Sequence, residues 1–153
     1  MKTILAAVDF SSGSKRVVTQ AAELARALGG RVVILHVLPL QPFKPDLGLL
    51  GDPPAGWKRA VEKNALERLA SLQAECRKAS VTSATVCVTG FPTTLVLAQA
   101  KKARADFIVM GSHGHTAFFD LIVGSTASGV LKRAVCPVIL VPSPKRTQRT
   151  ARS

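Results

Sequence analysis

Apolar residues in this chain follow two rhythms that alternate from one end to the other. ILAAV, Ile4 to Val8, is an unbroken apolar run, as expected of a strand covered on both faces. In SKRVVTQAAELARALGG, positions Val17, Ala21, Leu24, Ala25 and Leu28 fall at helical spacing, and Gly29-Gly30 marks a stop. RVVILHVLP is a second near-continuous strand, closed by Pro39. Pro39 to Gly56 holds five prolines and reads as a loop. At about 18 residues it is longer than most connections in compact domains, which points to mobility or function. WKRAVEKNALERLASLQAECRKA is a long amphipathic helix. Val61, Ala65, Leu69, Leu72, Cys76 and Ala79 face its core side, with Lys63 and Glu67 at i,i+4 outside. ATVCV, Ala84 to Val88, is a third strand, Thr89-Gly90 a turn, and Pro92 suits the first position of the helix TTLVLAQAKKA. FIVM after Asp106 is a fourth strand, STASGVLKRAV a short helix ended by Cys136-Pro137, and VILV a fifth strand.

Continuous apolar strands separated by helices predict an α/β domain. Its five-stranded parallel sheet would carry helices on both faces. Right-handed crossovers leave few topologies. In the strand order 3-2-1-4-5 the winding reverses between the first and fourth strands. Ligands of such sheets bind beyond the carboxyl ends of the strands at that reversal. The loops that meet there are Asp9-Phe10-Ser11 and the stretch from Gly111. Residues 1–144 form the domain, and 145–153 a basic, flexible tail without periodicity.

Composition narrows the field. Apolar residues make up 47% of the 153, enough for a core. No apolar run approaches the roughly 20 residues of a membrane helix. The N-terminal MKTILAAVDF has one Lys and a short apolar run, but Asp9 interrupts it and no cleavage pattern follows. A buried first strand is the better reading, and a cytoplasmic location is expected. Cys76, Cys87 and Cys136 are odd in number and far apart, without a C-x-x-C pair, so each reads as a small buried hydrophobe. The net charge is +12, and four cations (Lys145, Arg146, Arg149 and Arg152) lie in the tail. The others look scattered along helices and interleaved with Glu. With six Phe, one Trp and no Tyr, stacking platforms are scarce, which argues against specific nucleic-acid recognition.

The candidate chemistry lies in VMGSHGHTAFFDLIVGSTASGV. Gly111 and Gly114 allow close backbone approach or positive φ, and Ser112 and Thr116 add hydroxyls. Gly124-Ser125-Thr126 stands before a helix, where unpaired N–H groups and the helix dipole favour an anion. Held by both segments, a phosphate would sit in a nest of amides. Asp9 would accept hydrogen bonds from a sugar hydroxyl or an adenine amine. The alternatives are structural: a tight turn at Gly111 and Gly114, a helix cap at Ser125, a helix cap at Asp9. There is no G-x-x-x-x-G-K-[ST] and no G-x-G-x-x-G after a strand. His113 and His115 with Asp9 suggest a metal site only weakly, since adjacent loop histidines more often meet solvent or phosphate. His36, inside the second strand, reads as a satisfied, at least half-buried residue, and Asp120 as a surface residue.

The spacing Gly111-x2-Gly114-x9-Gly124-Ser125 resembles the nucleotide-binding motif of the universal stress protein family, UspA-type domains. ILAAVDFS, VVILHV, DFIVMGSHG and CPVILVP resemble that family's strands, so the likeness covers nearly the whole chain. It implies an adenine nucleotide alpha hydrolase-like, Rossmann-like fold. Because every motif glycine is present, it also implies the ATP-binding branch. Carried over, Ala7, Val8 and Asp9 line adenine and ribose, and the backbone of Val37 meets the adenine edge. Met110, Gly111, His113 and Gly114 border ribose and phosphates. Gly124, Ser125, Thr126 and Ala127 hold the phosphates, and any Mg or Mn arrives with the nucleotide. The resemblance further implies a homodimer through the last strand, Val138, Ile139, Leu140 and Val141, whose apolar edge needs cover. The basic tail and the high charge depart from the family pattern.

The expected function is therefore that of a nucleotide-occupied stress-response sensor or regulator with an unidentified protein partner. It is not an enzyme, and hydrolysis is at most weak, because the motif brings no Lys or Arg and no base to the γ-phosphate. Lys132 and Arg133 are expected to point away, and His113 is the one conceivable base. Two alternatives remain: a nucleotide-free module binding acidic partners through its basic surface and tail, and a slow ATPase.

Overall fold

A computed structural model describes residues 1–40, 55–113 and 123–144. The elements alternate as β1 (Thr3–Val8), α1 (Ser14–Ala27), β2 (Arg31–Pro39), α2 (Trp57–Lys78), β3 (Ser83–Gly90), α3 (Pro92–Lys102), β4 (Phe107–Gly111), α4 (Ser125–Arg133) and β5 (Val138–Val141). The five strands form one parallel sheet in the order β3-β2-β1-β4-β5. This is the predicted architecture, including the reversal between β1 and β4.

Alternation along each central strand divides the core in two. Ile4, Ala6, Val8, Val32 and Ile34 pack with Val17, Val18, Ala21 and Ala25 of α1 and with Leu69 and Cys76 of α2. Leu5, Val33, Leu35, Val37, Ile108 and Met110 pack on the other face with Val96 and Ala100 of α3 and Ala127 and Val130 of α4. Both faces are dry, which is why the strands read as continuous apolar runs.

The element ends depart from expectation in three places. Helix α1 stops at Ala27, so Leu28 is 42% exposed instead of joining the buried stripe. The stop is built by both glycines. Gly29 takes φ +62, and the Gly30 N–H donates to the Ala25 carbonyl at 2.7 Å. A Cβ on Gly30 would stand 2.5 Å from the Lys2 carbonyl oxygen, so the first strand runs too close for a side chain. Strand β3 continues through Thr89 and Gly90, which pair with Leu38 and Pro39 rather than forming a turn. Helix α4 ends at Arg133, leaving Val135 98% exposed.

The amino ends of β1 and β4 are tied by Asp106. Its carboxylate accepts from the Thr3 N–H at 2.8 Å and from Lys2 Nζ at 3.2 Å, and these bonds hold its pKa below the ordinary carboxylate value. Glu75 accepts from Lys78 at 2.9 Å, which lowers its pKa likewise. Among the described residues, Lys63 and Glu67 are not one of the ion pairs formed. Burial raises the pKa of all three cysteine thiols, but only Cys76 is buried as expected; Cys87 and Cys136 are half-buried.

Candidate functional site

The carboxyl ends of β1 and β4 stop level with one another while β2 runs on to Pro39, and the chain leaves β1 and β4 toward opposite faces. A cavity of about 720 Å³ opens where they part. It is lined by Ala7, Val8 and Asp9 from the end of β1, Val37 from β2, and Met110, Gly111 and His113 from β4 and its exit. Gly124, Ser125, Thr126 and Ala127 line it from the start of α4. Thus eleven of the twelve residues singled out from the sequence converge on one space. The twelfth, Gly114, lies outside the described residues, as do His115, Thr116 and Asp120.

Main-chain bonds hold these parts in register. The Ser112 N–H donates to the Val141 carbonyl at 3.0 Å, and the Ser112 carbonyl accepts from Gly124 N–H at 2.7 Å. One buried residue thereby fixes β5 and the start of α4 to the end of β4. Gly124 caps α4 with φ −67 and ψ 164, and its carbonyl accepts the Ser128 N–H at 2.9 Å. No side chain caps this helix. The N–H groups of Ser125, Thr126 and Ala127 are those a first helical turn leaves without an internal partner, and they carry the positive end of the dipole. Ser112 Oγ and His113 Nδ1 are 2.9 Å apart, so the histidine ring is oriented at the cavity wall.

Asp9 does not cap α1, whose N-cap is Gly13 without a side-chain bond, but it braces the loop that leads there. Oδ1 accepts from the Ser11 N–H at 2.9 Å and from Ser14 Oγ at 3.4 Å, which shapes the loop into α1. Beside it, Phe10 takes φ +61, a backbone region rarely used by residues with side chains. The Phe10 ring stacks on His36 with centroids 3.9 Å apart, and the Arg68 guanidinium covers it at 4.6 Å. His36 is buried, and its Nδ1 lies 2.8 Å from the Val8 carbonyl. A carbonyl only accepts, so Nδ1 carries the proton.

Sequence reasoning missed this second half of the cavity. Trp57, Asn64 and Arg68 of α2 also line it, and on the opposite side Pro92 and Val96 of α3 went unmarked as well. Nothing in a linear reading marks Arg68, which arrives from a helix nearly sixty residues after the loop it covers. Its partner Phe10 carried the one available signal, a bulky residue directly after the strand-end Asp9. Lys132 and Arg133 are exposed in the last turn of α4, away from its cavity end, as expected. Among the described residues, no three His, Cys, Asp or Glu side chains gather as a metal-binding group.

Known proteins share this fold. A universal stress protein of Thermus aquaticus is 33% identical over 142 residues, covering 92% of this chain and 98% of that one. The structure of protein MJ0577 of Methanocaldococcus jannaschii superposes with TM-score 0.80 at 23% identity, covering 95% of this chain and 98% of that chain. The universal stress protein from Archaeoglobus fulgidus, solved in complex with dAMP, gives TM-score 0.64 at 28% identity, covering 92% and 96%. The family model of the universal stress proteins matches residues 1–142, which includes every strand of the sheet and both walls of the cavity. The chain belongs to the universal stress protein family.

Proposed function

We propose that this protein binds ATP at the carboxyl end of its sheet and works, nucleotide-occupied, as a cytoplasmic stress-response sensor or regulator. The observation that carries the reading is the convergence of the β1 end, Val37, the β4 exit and the α4 N-terminus on one cavity. Its volume of about 720 Å³ falls in the range of small-molecule sites. The α3/α4 side supplies what a nucleotide needs. Ala7, Val37 and Met110 form an apolar floor for the base, and the amides of Ser125 to Ala127 face the phosphates. In this reading Asp9 and His113 meet the ribose, and Gly114, by its position in the motif, belongs with the phosphate-binding residues. A divalent ion would come with the phosphates. That a relative 28% identical was solved with dAMP supports an adenine nucleotide as the ligand class.

Occupancy rather than turnover is the better reading. Arg68 is the one Lys or Arg lining the cavity among the described residues, and it belongs to α2, on the other side of the sheet from α4. Among the described residues, the α4 amides thus have no neighbouring cation for a γ-phosphate. Assembly as a homodimer through β5 fits the exposed Ile139 on that edge strand, with Leu131 and Val135 also exposed nearby.

The test is mass spectrometry of the nucleotide released on denaturing freshly purified protein, with ATP titration of the emptied sample. ATP near one per chain, with turnover well below the roughly 1 per second of slow kinases, is the expected result. A protein that is empty and ignores added ATP would overturn the reading.

A further inference from the structure

In a parallel sheet with a helix after each of its first four strands, every helix ends at the sheet's amino end, opposite the cavity. The helices close there with Arg26 in α1, Arg77 and Lys78 in α2, Lys101 and Lys102 in α3, and Lys132 and Arg133 in α4. Lys2 and Arg31 stand at the starts of β1 and β2, and Arg104 in the turn before β4. All of these side chains are exposed. The described carboxylates toward this end are Glu23, Glu75 and Asp106. Two of them are already engaged, Asp106 by Lys2 at 3.2 Å and Glu75 by Lys78 at 2.9 Å and Lys15 at 3.7 Å. The negative end of a helix dipole accounts for a cation in a last turn. It does not account for Lys2, Arg31 and Arg104, nor for so few carboxylates among them.

We propose that this end of the molecule binds nucleic acid through the phosphate backbone, without sequence preference. A duplex presents about one negative charge per 1.7 Å of its axis. That dense array suits cations rising from four helix ends and two strand starts. Base reading is not provided for. Among the described residues, the exposed aromatics Trp57 and Phe91 open α2 and α3 and so stand at the cavity end. Contacts of this kind position a protein on a backbone without specifying sequence. The proposal rests on residues 1–144 alone, and β5 leads away from this surface, to where Arg16 Nη1 donates to the Pro142 carbonyl at 3.3 Å. The proposal does not depend on nucleotide binding.

The experiment is fluorescence anisotropy of a short labelled DNA duplex of mixed sequence, titrated with the full chain over a range of salt. Two full-chain variants of equal charge change are compared with it. Lys101→Glu, Lys102→Glu and Arg133→Glu together alter the proposed surface. Lys58→Glu, Arg59→Glu and Lys63→Glu together alter the cavity end. The wild type should bind duplexes of unrelated sequence alike, with affinity falling steeply as salt rises. The first variant should lose about tenfold or more and lower the salt slope by about 3, roughly 1 for each phosphate contact removed. The second should stay within about threefold of wild type, since its cations make no phosphate contact in this proposal. Equal losses in both variants would assign the binding to net charge and overturn the proposal. So would no duplex binding at low salt, whether or not the chain then binds vesicles containing phosphatidylserine. Should the first variant fail to fold by circular dichroism, Gln at the same three positions carries the same comparison.

Discussion

Replacing Gly124 by Ala separates the two roles this glycine can have. Its φ of −67 and ψ of 164 are open to any residue, so the change introduces no backbone strain. Both of its main-chain bonds, to Ser112 and Ser128, survive a side chain. Ala is a poorer helix cap than Gly by up to about 1 kcal/mol, and its stiffer unfolded chain returns about 0.4–1 kcal/mol. The two offset, and thermal stability should hardly move. Nucleotide binding should move, because in the proposed site a phosphate comes against the first-turn amides that Gly124 precedes, and a methyl there crowds it. A hydrogen bond to a charged group contributes about 1.5–3 kcal/mol, so losing one weakens ATP about 10- to 150-fold. Isothermal titration of the emptied protein reads the affinity, and thermal unfolding reads the fold. Gly129→Ala is the contrasting variant. A Cβ there meets Thr93 Cγ2 at 2.8 Å and Oγ1 at 3.0 Å, between α4 and α3. Overpacking of about 1–3 kcal/mol should outweigh the roughly 1 kcal/mol gained in helix propensity and lower the melting temperature. Wild-type ATP affinity in a normally folded Gly124→Ala would refute phosphate binding at the α4 N-terminus. A melting temperature as low as that of Gly129→Ala would show that the glycine serves the fold first.

Other outcomes follow from single residues. Trp57 is the one tryptophan of the chain and lines the cavity at 46% exposure, so ATP should change its emission. Unchanged fluorescence in a sample that binds ATP by calorimetry would place the ligand away from α2. Leu69 is fully buried between α2 and the sheet, and Leu69→Ala should cost about 3–5 kcal/mol in urea unfolding. A loss under about 1 kcal/mol would mean that this core collapses freely around the deletion. Asp106 has its folded pKa lowered by the Thr3 N–H and by Lys2, so its contribution is present at neutral pH and is lost as pH falls through the folded value. Asp106→Asn should therefore be less stable than wild type at neutral pH, and the gap in urea midpoint should close as pH falls through the folded pKa, below the ordinary carboxylate value. A gap independent of pH would assign the effect to packing instead.

The difference between what the sequence made legible and what it hid follows one physical line. Strand identity and order were legible because burial on both faces leaves a continuous apolar run, and because right-handed crossovers leave few arrangements of five such runs. The α3/α4 half of the cavity was legible for a related reason. Its residues follow one another at strand ends and at a helix start, so sequence neighbours stay spatial neighbours. The α1/α2 half was not. Phe10, His36 and Arg68 come from three elements, and their stack depends on a left-handed backbone at Phe10 that no propensity assigns to a phenylalanine. Element ends were hidden too, because the residues that set them act at a distance. Gly30 is required by the Lys2 carbonyl, and Thr89-Gly90 stay extended because Leu38 and Pro39 are there to pair.

The same line explains the charge. Read along the chain, Arg26, Lys78, Lys102 and Arg133 stand more than twenty residues apart and look scattered. Each, however, closes a helix. A parallel sheet turns "the end of a helix" into a single place, just as it turns "the end of a strand" into the place where the cavity lies. The two ends then carry opposite characters. The carboxyl end offers amides, hydroxyls and an enclosed volume suited to one small anion. The amino end offers side-chain cations on an open surface, suited to an extended one. A substitution at either end should leave the other's binding unchanged, because the ordered core of β1, β2 and β4 stands between them. ATP affinity in the amino-end charge-reversal variant, measured beside its duplex affinity, is the direct check. A loss of both together would mean that the two ends act as one site.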